Sequence, residues 1–163
     1  MSYNGELAAK YAIKYAMNPS PTFPYYASEA GGDCTNFVSQ CFSYGGCPQA
    51  TNTSPWYYNQ KTHAHSNSWI IADILYHMLI SKGKKTSPGI KGEELDSPFE
   101  LKLGDAIFYE NNENRIYHSA IVTDFDESNN SSIPLISQHT YDQANVIYFK
   151  PNALKSHFVR IYL

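Results

Sequence analysis

The sequence is poor in charge: only 17% of its 163 residues are Asp, Glu, Lys or Arg, and 12 basic against 15 acidic residues leave a net −3. That balance excludes the basic footprint of a nucleic-acid binder. Together with a hydrophobic content of 42%, it also excludes an intrinsically disordered chain. Cysteine is scarce, and Cys34, Cys41 and Cys47 cannot form a framework in which every thiol is paired. No run approaches the roughly 20 apolar residues of a membrane span, so no membrane insertion is expected. The first eighteen residues, MSYNGELAAKYAIKYAMN, lack the basic start and apolar run of a signal peptide. The expectation is a chain made in a reducing compartment, or one whose leader has been removed. What the sequence has in excess is tyrosine, 14 against 8 Phe and 2 Trp. Tyrosine offers an apolar ring with a polar tip, which suits a wet groove.

The length predicts one domain, residues 1–163. Residues 4–17 read as a helix capped by Asn4, with Leu7, Ala8, Tyr11, Ala12 and Tyr15 on one face. Prolines 19, 21 and 24 end it. Residues 31–44 open on Gly31-Gly32-Asp33 and place Cys34, Phe37, Val38 and Cys41 along one stripe, ending at Gly45-Gly46. Residues 47–66 read as irregular and polar, and residues 67–81 as a third helix stopping near Gly83. Ala106–Tyr109, Ile116–Phe125, Ile133–His139 and Val146–Phe149 then read as strands, with Phe158–Leu163 as an edge strand. Helices first and an antiparallel sheet after them is an α+β order.

Cys34 is the first residue with chemistry in it. It follows Gly-Gly-Asp at a predicted helix start, where free N–H groups and the dipole favour a thiolate. Asp33 is placed to cap that helix through its side chain. Cys41, two turns on among Phe37, Val38 and Phe42, reads as a buried structural thiol, and Cys47 as incidental. His63 and His65 form an H-x-H pair without further ligands at zinc spacing, so no metal is expected. Asp105, in a Gly-Asp strand-entry turn, has no calcium-loop spacing around it. His77 falls near the exposed side of the third helix, and His157 at the surface.

His118 and His139 are set apart by register. If Asp126–Ser131 is the hairpin loop, residue 118 faces residue 139, with Cβ atoms ~4.5–5.5 Å apart. One imidazole then orients the other, as the third member of a triad does. A register one residue away puts Gln138 or Thr140 opposite His118 instead.

In this order the pieces resemble the papain-like cell-wall hydrolases of bacteria. The resemblance is to the putative amidase domain family of Gram-positive bacteria, related to NlpC-type peptidases and CHAP amidohydrolases. It is carried by Tyr25-Tyr26, by Gly31 to Cys41 (GGDCTNFVSQC), by the Leu101-x-x-Gly104-Asp105 turn, by His118-Ser119-Ala120-Ile121-Val122 and by Ser137-Gln138-His139-Thr140. Trp56 and Trp69 fall where the family carries aromatic residues between its helices, and are expected in the substrate groove. The Asp-Cys-Thr-Asn reading departs from the Asp-Cys-Ser-Gly of NlpC-type enzymes and is closer to CHAP.

The resemblance implies a papain-like fold with N-terminal helices on an antiparallel sheet, and acyl transfer without metal or organic cofactor. It implies Cys34 as nucleophile, His118 as general base and His139 as the orienting residue, with Gln138 and Asp142 as alternatives. It implies Tyr25 or Tyr26 beside the Cys34 N–H in the oxyanion hole. The implied substrate is bacterial peptidoglycan, cut between sugar and L-alanine or within the stem peptide or crossbridge. The chain is then a phage lysin released from the cytoplasm, or the catalytic domain of a secreted protein with a wall-binding domain on a longer parent chain. An acyltransferase and a non-catalytic wall-binding module are the rival uses of the same scaffold.

Overall fold

The computed structural model describes residues 1–52 and 55–163; positions 53–54 of the irregular 47–66 stretch lie outside them. Four helices come first: α1 (Gly5–Tyr15), α2 (Cys34–Tyr44), α3 (Asn67–Ile70) and α4 (Ala72–Lys84). Six strands follow: β1 (Lys91–Leu95), β2 (Ala106–Glu110), β3 (Ile116–Asp126), β4 (Ile133–Gln138), β5 (Gln143–Ile147) and β6 (Lys155–Tyr162). They form one antiparallel sheet in the order β1-β6-β2-β3-β4-β5. The α+β architecture is the expected one.

α1 starts where its cap dictates, with the Asn4 side chain accepting from Leu7 N at 3.0 Å. Its buried face is Ala8, Ala9, Tyr11 and Ala12, while Leu7, expected on that face, is exposed. α2 is buried on every side from Cys34 to Phe42, not along one stripe. Its polar residues tolerate this because each meets a partner. Thr35 pairs with Ser119 at 3.0 Å, Gln40 accepts from Tyr11, and Ser39 donates to Trp69 O while accepting from Trp56 Nε1.

The single helix expected over 67–81 is two. Ile71 is extended, at φ −114° and ψ 116°, and breaks the run between α3 and α4. The break leaves Ile70 and Ile71 in a groove wall, as described below.

Three strand expectations change, the first being the expected Val146–Phe149 strand, which runs instead from Gln143 to Ile147 as β5. β6 is interior, paired to β1 on one side and β2 on the other. The edge belongs to β1, whose sequence KGEEL has no β-branched residue to announce a strand. Gly92 in β1 is required by α4: a Cβ there would lie 2.8 Å from Val159 Cγ1 and 2.9 Å from Leu79 Cβ.

The main core fills the space between the helices and one sheet face, around Phe37, Phe42, Trp56, Trp69, Leu75, Phe108 and Ile121. A smaller cluster of Leu101, Ile107, Tyr109, Ala120, Val122 and Ile136 covers the other face. The N-terminal end of α2 thereby meets the start of β3, and that junction carries the site.

Candidate active site

Cys34 is the first residue of α2, and the first N–H groups of a helix have no partner within it. Gly32 makes the approach, at φ +85°, and a Cβ there would lie 2.8 Å from Thr140 Oγ1. The Asp33 N–H donates to that same Thr140 oxygen at 2.9 Å, so the turn before Cys34 is clamped to the segment just after β4. Burial acts to raise the Cys34 thiol. Hydrogen bonding and charge from His118, with the Thr35 hydroxyl and the Ser119 backbone, outweigh it and lower the pKa to about 7.

His118 sits near the start of β3 and is itself buried. Its Nε2 lies 2.7 Å from Gln138 Oε1, and Gln138 Nε2 donates to Gln143 Oε1 at 2.8 Å. The second bond fixes the glutamine amide with its oxygen toward the imidazole. Nε2 therefore carries a proton, and Nδ1 is the nitrogen available to the thiol.

The expected facing of His118 and His139 does not occur. Asp126 pairs with Ile133, Asp124 with Leu135, and then a bulge at Thr123 shifts the ladder so that Ile121 pairs with Ser137. Continued, that register sets 118 level with 140 and puts Gln138 on the His118 face. A one-residue difference sends His139 to the opposite face. There its Nδ1 meets Asp33 Oδ2 at 2.5 Å, its Nε2 meets Tyr15 O at 2.8 Å, and its ring stacks on Phe37. Both ring nitrogens face acceptors, so both carry protons and His139 is an imidazolium. Burial acts to lower its pKa, but Asp33 and the Tyr15 carbonyl raise it above the ordinary histidine value.

Asp33 is not the side-chain cap expected of it. Its carboxylate accepts from Tyr26 N at 3.0 Å and Asn36 Nδ2 at 2.8 Å, besides the bond to His139. One buried carboxylate thus ties the Tyr26 segment, the first turn of α2 and the end of β4 together.

Two grooves meet at the junction. One, of about 400 Å³, is lined by Cys34, Tyr26, Gly31, Gly32, Ile70 and Ile71. The other, of about 760 Å³, is lined by His118, Asn111, Tyr141, Lys150 and Asn152 among others, and Tyr117 borders both.

The profile of the family described as "Putative amidase domain" matches residues 2–162. The chain belongs to that family. Two uncharacterized proteins of Bacillus subtilis (strain 168) are similar to this amidase domain. YhbB is 31% identical over 83% of the chain and 40% of its own length, and YjcM is 31% identical over 73% and 24%. The chain thus spans less than half the length of either relative. No solved structure matches it significantly.

The remaining predicted residues of the amidase domain divide. Tyr26 lines the Cys34 groove, and burial followed by the Asp33 charge raises its phenol, which therefore stays a donor. Tyr25 turns away: its hydroxyl reaches Asp142 at 3.1 Å and its ring edge packs on His139. Asp142, an alternative orienting residue, is held there and also accepts from Thr140 N. Trp56 and Trp69 are not in a groove. They are fully buried with ring centroids 4.9 Å apart, and Trp69 Nε1 donates to Asn36 Oδ1.

His63 lies 2.6 Å from the Tyr58 hydroxyl. His157, expected at the surface, is buried in β6 between Glu94 and Glu110. Among the described residues no three His, Cys, Asp or Glu side chains converge as metal ligands, and no helix is long and apolar enough to cross a membrane. Sequence reasoning missed Ser119, Gln143 and Ile71 as parts of the site. Ser119 reaches it through the distant Thr35 hydroxyl, Gln143 through its bond to Gln138 across the β4–β5 turn, and Ile71 through the break between α3 and α4.

Proposed function

We propose that this amidase domain hydrolyses an amide of bacterial peptidoglycan by cysteine nucleophilic catalysis, as an N-acetylmuramoyl-L-alanine amidase. The observation that supports it best is the line Cys34–His118–Gln138, with the thiol lowered to about 7 and the imidazole held by its far nitrogen. Nδ1 of His118 takes the thiol proton, and the thiolate attacks the amide carbonyl. The Cys34 N–H and the Tyr26 hydroxyl stabilise the oxyanion, an effect worth roughly 3–4 kcal/mol per donor in a preorganised site. His118 then protonates the leaving amine, and water hydrolyses the thioester. The placement of Cys34 at the start of α2 with His118 on the adjoining β3 supports the same reading.

The test is mass spectrometry of purified Gram-positive peptidoglycan digested by wild type and by Cys34→Ala. Stem peptides with a free L-alanine amine, released by wild type alone, are the expected products. New ends inside the stem or crossbridge would make it an endopeptidase using the same chemistry. No products from walls of several types would overturn the reading in favour of an acyltransferase or a wall-binding module.

A further inference from the structure

The two grooves are not equivalent, because the chemistry assigns a side to each. The general acid protonates the departing nitrogen, so the amine half of the substrate must lie beside His118. His118 lines the larger groove and Cys34 the smaller. The amine half therefore occupies the larger one.

That groove holds a cation that pairs with no carboxylate among the described residues. Lys150 is half-buried in its wall, and no Asp or Glu is among its lining residues. Among the described residues the ion pairs involve His77, His139, His157 and Arg160, and none involves Lys150. The ammonium is nevertheless held in place. It stands 5.2 Å from the centroid of the Tyr109 ring, which is fully buried and anchored by its hydroxyl to Tyr148 O at 2.7 Å. The His118 ring packs 5.6 Å from that same tyrosine ring. One aromatic side chain thus separates the cation from the catalytic imidazole. Burial lowers the Lys150 pKa, and the charge of Cys34 acts in the opposite direction. Asn111 and Asn152 supply amide groups along the same wall. A positioned, partly desolvated ammonium in a groove without carboxylates is a receptor for an anion.

We propose that Lys150 binds a carboxylate on the amine side of the scissile bond, so that the enzyme selects amides whose leaving group is an acidic peptide. This rests on the amidase reading above and adds to it the class of leaving group.

The test compares N-acetylmuramoyl-L-alanyl-D-glutamate, with both carboxylates free, against its diamide. Wild type is expected to show at least a tenfold higher kcat/KM for the diacid, carried mainly by KM and shrinking as salt is added. Lys150→Gln narrows that preference to less than about twofold, Lys150→Glu reverses it, and Lys150→Arg restores most of it. The alkylation profile of Cys34 in each variant reports whether the site is still assembled. A wild type that cleaves both compounds equally overturns the Lys150 assignment and leaves the amidase reading standing. So does a Lys150→Gln variant with an intact Cys34 profile and an unchanged preference. Cleavage of neither compound nor of any wall amide overturns the amidase reading, and this inference with it.

Discussion

Gln138 Oε1 accepts from His118 Nε2 across 2.7 Å, and this one bond decides which imidazole nitrogen faces the thiol. A glutamine orients the ring without adding negative charge, so the imidazolium gains no ion-pair stabilisation from it. Both properties lead to measurements.

Gln138→Ala should lower kcat by roughly 10- to 100-fold with little change in KM, a part of the roughly 10²–10⁴ that positioned acid–base groups contribute. Gln138→Glu should recover much of that loss. It should also move the alkaline limb of the kcat/KM profile to higher pH, because a carboxylate at Nε2 stabilises the imidazolium. An unmoved limb in a folded variant would separate Gln138 from His118 function.

Cys34 should alkylate with a midpoint near pH 7, while burial pushes the Cys47 thiol up to about 12 and Cys41 well above its ordinary value. Iodoacetamide near neutral pH should therefore label a single site. His118→Gln should move the Cys34 midpoint up, past the roughly 8.5 of a free thiol, since burial then acts without its counterweight. Rate profiles followed by peptide mapping read both outcomes.

The Asp33–His139 pair gives a stability signature. His139 has its pKa raised by folding, so the pair's contribution is complete below the unfolded value of roughly 6.5 and is lost as pH rises through the folded value. Wild type should lose Tm on crossing that interval, and His139→Gln should lack that part of the slope. The same variant leaves Asp33 buried without its cation, a loss on the order of 3–5 kcal/mol at neutral pH. Thermal melts from pH 5.5 to 9 measure both.

Trp69→Ala should destabilise by about 3–5 kcal/mol, as expected for a fully buried indole. Trp69→Phe should cost less, mostly through the lost bond to Asn36. For Trp69→Phe, KM should stay within about twofold of wild type, because the ring lies behind α2 and not in a groove. A large KM rise with unchanged Tm would return Trp69 to the substrate surface.

Local chemistry was legible: Asn4 caps α1, Gly45 closes α2, and Gly31-Gly32 turns the chain toward Cys34. Non-local partners were not. The polar residues of α2 are buried because Ser119, Trp69 and Tyr11 lie far away in sequence to meet them. The hairpin register failed by one residue because the pairing after Asp126 and the bulge at Thr123 carry no signature, and that single step exchanged His139 for Gln138 beside His118. β1 was invisible because KGEEL owes its strand to β6 and α4, not to its own propensity.

On the proposed mechanism, everything depends on Cys34 being the nucleophile. The most direct measurement is the rate of release of L-alanyl-D-glutamate from N-acetylmuramoyl-L-alanyl-D-glutamate by wild type and by Cys34→Ala, with circular dichroism and melting curves showing both folded. The variant should lose activity by roughly a thousandfold or more, as for removal of a covalent nucleophile, with the fold and substrate binding retained. Hydrolysis by a folded Cys34→Ala variant at a rate comparable to wild type would contradict it.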